Sequence, residues 1–148
     1  MSVYAQLKAL NLSLPQATPA AGACAPFVRT GNLLFVSGHI SLKDGKPWVG
    51  QLGVHVSVEE GKEAARAAAL DLMATLESAV GDLNRIKRIV KLMVLVNSAP
   101  SFTEQPQVAN GASALFDKVF GTAHARSAFG AAQLPLGACV EIELIAEV

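Results

Sequence analysis

The chain has 148 residues, of which 51% are hydrophobic and only 16% charged, and twelve Lys and Arg balance twelve Asp and Glu. One domain around one core is the default at this length, and zero net charge leaves no electrostatic footprint for nucleic acid or an anionic membrane. No apolar run approaches the roughly 18 residues that span a bilayer, because Ala64 to Leu72 is interrupted by Arg66 and Asp71.

An average domain carries about 25% charged residues, so this chain has apolar surface to spare, and an interface between subunits is where it is expected to go. The first residues, Met1 to Lys8, lack the basic and apolar regions of a signal peptide, and neither end carries a lipidation motif, so a cytoplasmic location and no membrane partner are expected. Cys24 and Cys139 are far apart and form no CxxC pair, which makes a disulfide or structural zinc unexpected.

In chain order, Tyr4, Leu7 and Leu10 have the spacing of a short amphipathic helix that reads as peripheral, and residues Pro15 to Ala25 read as an irregular, uncharged approach segment. Phe27–Thr30 and Leu33–Ser37 flank Gly31-Asn32, a pair that tolerates positive φ, so they predict a β-hairpin. His39 to Leu42 continues as strand to a turn at Asp44-Gly45, and Trp48 to Val56 has room for one more short strand.

Ser57 with Glu60 three residues later forms a capping box, and Gly81 supplies the stop, which predicts a helix of about six turns between them. Ala64, Ala68, Leu72, Leu76 and Ala79 line its apolar stripe, widened by Ala65, Ala69, Met73 and Val80. Lys62, Arg66, Asp71 and Glu77 lie off that stripe. Ile86 to Val96 is β-branched and alternating, which predicts a central strand, and Val108 to Val119 predicts a second helix behind the breaker Pro106. Arg126 to Ala132 and Cys139 to Ala146 read as two antiparallel strands. In the latter Val140, Ile142, Leu144 and Ala146 face one way and Glu141, Glu143 and Ile145 the other. The order predicts one α+β domain over residues 1–148, a mixed sheet with two main helices on one face, and residues 1–25 as an N-terminal helix and approach.

Chemistry-bearing motifs are sparse. There is no Walker loop, GxGxxG, HExxH or GxSxG, and His39, His55 and His124 are scattered, so neither a cofactor nor a metal is expected. Arg126 opens an otherwise uncharged strand, and a guanidinium there needs a partner. Two alternatives stand: an external carboxylate gripped bidentately, or Glu141 or Glu143 of this chain.

Ala125-Arg126-Ser127, Leu134-Pro135 and Val140-Glu141-Ile142-Glu143-Leu144-Ile145-Ala146 together resemble the C-terminal signature of the Rid family of imine deaminases. That family is also called YjgF or endoribonuclease L-PSP. Phe27, Gly31-Asn32, Ser37-Gly38-His39-Ile40 and Asn110 follow the same order, so the resemblance covers about residues 25 to 148. It implies a chorismate-mutase-like subunit assembled as a homotrimer with clefts between subunits. It further implies that Arg126 holds a substrate carboxylate, that Glu141 activates water and that Asn110 lies in the cleft; for Ser37, Gly38 and His39 two alternatives stand, that they line the cleft or that Gly38 marks a bulge where backbone approaches backbone. Departures lie at Phe27, where the deaminases carry tyrosine, at Ala128, where they carry cysteine, and at His124, where proline is usual and which could supply a substitute polar group.

Three functions follow from the resemblance. The first is hydrolysis of enamine or imine intermediates such as 2-aminoacrylate to 2-keto acids, without a cofactor. The second is binding or sensing of keto acids, in which Arg126 matters and Glu141 does not. The third is endoribonuclease or translation-inhibitor activity, against which the neutral charge, one Trp and one Tyr argue.

Overall fold

The computed structural model describes residues 2–19 and 22–148. Ala20 and Ala21, within the expected approach segment, lie outside the described residues. The first helix, α1 (Val3–Ala9), is capped by the Ser2 side chain and buries Val3 and Leu7. It is therefore not peripheral: both residues join the main core, and the Tyr4 hydroxyl donates to Glu77 and accepts from the Leu83 amide.

The hairpin forms as its turn residues dictate, with β1 (Phe27–Thr30) paired to β2 (Leu33–Ile40) and Gly31 at φ 56°. A second small hairpin, β3 (Leu42–Lys43) and β4 (Lys46–Pro47), turns on Asp44 and Gly45, both at positive φ. The expected strand within Trp48 to Val56 does not form. Gly53 at φ 91° and amides of residues 54 to 56 folding back on the Gln51 carbonyl close the segment into a turn, leaving isolated bridges at Val49 and Leu52.

The long helix α2 (Val58–Val80) has both halves of the Ser57/Glu60 capping box and ends on Gly81 at φ 82°. Asp71, although off the apolar stripe, is only 9% exposed. After β5 (Arg88–Asn97), α3 (Gln105–Phe120) begins one residue before Pro106. The proline thus sits in the first turn, where its missing N–H removes no helical bond. The last two strands are β6 (Ala125–Ala131) and β7 (Val140–Glu147).

The sheet order is β1-β2-β7-β5-β6, parallel only between β5 and β6. β6 and β7 run in opposite directions, as the sequence suggests, but β5 lies between them and β7 is the middle strand. Helices α2 and α3 cover one face, over Leu34, Val36, Leu92, Val94, Ile142 and Leu144. Their backbones meet closely at Gly111, where a Cβ would stand 2.0 Å from the Lys62 carbonyl oxygen. No helix covers the other face, which presents Val28, Phe35, Phe129 and Ile145; the first three are 59%, 43% and 43% exposed. No helix among the described residues is long and apolar enough to cross a membrane.

Candidate functional site

Cross-strand partners share a sheet face, so the register assigns each candidate residue its side. Arg126 pairs with Leu92, which pairs with Leu144, and both leucines are buried under the helices. Arg126 therefore projects to the helix side from the edge strand β6. There its Nη1 donates to Asn110 Oδ1 at 2.8 Å and to Ser113 Oγ at 3.1 Å, both on α3. The pairing with Glu141 or Glu143 is not made within the chain. Both glutamates sit on β7, one strand beyond β5 and on the uncovered face, and Arg126 takes part in none of the ion pairs found among the described residues. A half-buried guanidinium held only by neutral oxygens keeps its remaining N–H donors for an external acceptor.

His124 supports this arrangement from behind. Its side chain is 5% exposed, Nε2 lies 2.9 Å from Ser113 Oγ, and Nδ1 lies 3.3 Å from Asp117 Oδ1 without hydrogen-bonding geometry. Its hydrogen-bond link to Arg126 runs through Ser113. Ala128, two residues along β6, shares the helix face with Arg126 and packs against the core. The serine was not singled out in the sequence, although Asn110, Ser113 and Asp117 at i, i+3 and i+7 mark one polar stripe on α3.

A second group gathers around the bulge that interrupts β2–β7 pairing between Val36 and His39. Bulges re-aim side chains, and here the break lets Gly38 approach Glu141: a Cβ on Gly38 would stand 3.2 Å from the Glu141 carboxyl carbon. Glu141 is half-buried, and desolvation first, then the charge of Glu143, raise its pKa above the ordinary value of 4.5, with His39 opposing. His39 returns to the helix side. Its Nδ1 is 2.8 Å from the Ser37 carbonyl, which can only accept, so Nδ1 bears the proton and Nε2 meets Thr75 Oγ1 at 2.9 Å.

Ser37, Gly38 and His39 line a hollow of about 380 Å³ together with Cys24, Pro26 and Asp71. Phe27 does not: it faces the helix side with Val36 and packs against the core. The candidates thus form two clusters in one chain, Arg126 with Asn110 and His124 at the β6 edge, and Glu141 with Ser37, Gly38 and His39 at the β2–β7 bulge. No group of three or more His, Cys, Asp or Glu among the described residues is placed to hold a metal ion.

Comparison with known proteins bears on what two such clusters do. Residues 4–148 match the family model described as "YjgF/chorismate mutase-like, putative endoribonuclease". Protein TCP17 of Trypanosoma cruzi is 49% identical over 149 residues, covering 98% of this chain and 93% of that protein. A solved Agrobacterium tumefaciens protein of unknown function, Atu1372, is 40% identical with a TM-score of 0.90, covering 99% of this chain and 93% of its own. A Shewanella oneidensis structure named as a "putative endoribonuclease" superposes with a TM-score of 0.96 at 34% identity, covering 100% of both chains.

Proposed function

We propose, from the premise that this chain belongs to the YjgF/chorismate mutase-like family, that it hydrolyses enamine and imine carboxylates of the 2-aminoacrylate kind to 2-keto acids and ammonia. The reaction takes place in clefts between copies of a homotrimer. One observation carries this reading: a half-buried guanidinium without a carboxylate partner, and a desolvated carboxyl of raised pKa, lie on opposite faces of the same sheet. One chain cannot bring them to one substrate, but the β6 edge of one copy set against the bulge of another can. The uncovered sheet face, with Val28, Phe35 and Phe129 exposed, is the apolar surface such an assembly would bury.

In this scheme Arg126 binds the substrate carboxylate through its free N–H donors, and Asn110 and Ser113 fix the plane of the fork. The enamine takes a proton from solvent at its β-carbon and becomes the iminium, the protonated imine. Water adds to the imine carbon as Glu141 accepts its proton, and the same carboxyl then protonates the amine nitrogen. The C–N bond breaks, ammonia leaves, and the carbinol proton passes to the carboxylate as the ketone forms. A carboxyl whose pKa lies above the usual range suits both steps, because it is a stronger base when ionised and is more readily reprotonated near neutrality.

The test measures keto-acid release from freshly generated 2-aminoacrylate by wild type, Arg126→Ala and Glu141→Ala. Turnover lost in both variants is expected. Binding of keto acids without turnover in wild type would replace the enzyme by a sensor for small carboxylates, a reading favoured by Phe27, which offers no hydroxyl and faces the core. Cleavage of single-stranded RNA, the activity implied by the name of the Shewanella relative, is not expected of a chain with zero net charge.

A further inference from the structure

Asp71 is a charged side chain on the fourth turn of α2 that the reaction above does not use, and it is only 9% exposed. No hydrogen bond or ion pair reaches it among the described residues, and the sole charge that lowers its pKa is His39. A carboxylate drawn out of water without a donor is costly, and native structures leave few such groups unsatisfied. Nor does Asp71 point into a closed core. It lines the hollow shared with Ser37, Gly38 and His39, and also an adjoining hollow of about 610 Å³ bordered by Ser13 to Gln16. Thr18, Leu42 and Gly45 line both, so the two hollows adjoin at the carboxylate.

Gly38, one wall of the first hollow, is also the residue against which the Glu141 carboxyl packs. The β1–β2 pairing ends at Phe27 and Val36, so beyond Ser37 strand β2 is the edge of the sheet, and a substrate whose reacting carbon sits at Glu141 would extend its side chain around that edge, past Gly38, toward Asp71.

We propose that Asp71 makes this hollow a specificity pocket for a cationic side chain, a guanidinium or ammonium, on the 2-imino or 2-keto acid held by Arg126. This rests on the carboxylate cleft proposed above and adds its far end. A bidentate guanidinium would pair both Asp71 oxygens and offset the cost of their desolvation, whereas an alkyl chain in the same place would add to that cost.

The experiment compares binding of 2-oxo-5-guanidinopentanoate and of neutral 2-oxohexanoate to the full chain by calorimetry, for wild type, Asp71→Asn and Arg126→Ala. Wild type is expected to prefer the guanidino acid at least tenfold, Asp71→Asn to lose that preference while still binding the neutral acid, and Arg126→Ala to bind neither. Asp71→Ala serves in the same role should Asn fail to fold, judged by thermal melting. Equal or weaker binding of the guanidino acid by wild type, or a preference that survives both Asp71 substitutions, overturns the pocket alone. Failure of wild type to bind either acid overturns the carboxylate cleft and the pocket with it.

Discussion

Arg126 and Glu141 stand on opposite faces of one sheet, with strand β5 between their own strands. Each is placed by its register with β5: Arg126 beside buried Leu92, Glu141 beside Leu95 on the uncovered side. A side chain cannot cross a hydrogen-bonded sheet, so a site that needs both must draw them from two copies. Arg126→Ala and Glu141→Ala, each inactive alone, should therefore complement each other. Unfolded together in equal amounts and refolded, they are expected to recover about a quarter of wild-type keto-acid release, the fraction of randomly assembled clefts with both groups intact. Recovery of nothing would mean that each cleft is built within one chain.

Ser113 links the arginine to His124, and removing its hydroxyl deletes one bond to a charged donor. A hydrogen bond to a charged group contributes about 1.5–3 kcal/mol, so Ser113→Ala should raise KM by at least about tenfold. The turnover number should change little, because Glu141, the carboxyl proposed to activate water, is elsewhere. His124→Ala should act in the same direction and more weakly, since its hydrogen-bond link to Arg126 runs through Ser113. Steady-state kinetics with a fall in kcat and unchanged KM would contradict the positioning role.

The pH profile should carry the mark of Glu141. Its pKa is raised by desolvation and by Glu143, so the base form is lost as pH falls through a value above the ordinary 4.5. The acid limb of kcat/KM is expected above that value and should move toward it in Glu143→Gln, which removes the neighbouring charge. A limb at or below 4.5 in wild type would assign the base to another group.

Stability should report Asp71 independently of any ligand. Burial raises its folded pKa above the ordinary 3.8, so between those two values the folded chain binds more protons than the unfolded one and loses stability as pH rises. Asp71→Asn lacks that loss. Urea unfolding should thus show the variant gaining on wild type as pH increases from 3.5 toward 7, with the least difference at the acid end. A constant difference across that range would mean the carboxyl is not perturbed in the folded state.

Gly111 sets the distance between the two helices, because its missing Cβ is where the Lys62 carbonyl oxygen passes. The obstacle is backbone and cannot swing aside. Gly111→Ala should destabilise the fold by about 1–3 kcal/mol, the usual cost of overpacking, despite alanine's better helix propensity. Its neighbour Asn110 bonds Arg126, so the same variant should also loosen carboxylate binding.

Much of this architecture is legible in local sequence. Gly31-Asn32 sets the hairpin turn, Ser57, Glu60 and Gly81 bound α2 at the residues where it begins and ends, and the alternation from Val140 divides β7 into a buried row and the row carrying Glu141. Pro106 misleads because its ring fits the first turn of a helix as well as it breaks an interior. Trp48 to Val56 misleads because its apolar residues serve a turn closed on the Gln51 carbonyl rather than a strand.

By itself, then, the chain's order of residues determines its periodicities, its caps and turns, and the presence of one arginine in an uncharged strand, since each of these depends on neighbours a few positions away. The folded structure alone decides that β7 inserts between β2 and β5, that Arg126 is steadied by Ser113, and that Asp71 is nearly buried beside hollows it lines with Thr18, Leu42 and Gly45. Alternation reports which face a strand turns to the core but not which strand lies beside it. Strand order and the covering of a helix flank are set by contacts between residues tens of positions apart, and those contacts leave no local pattern to read.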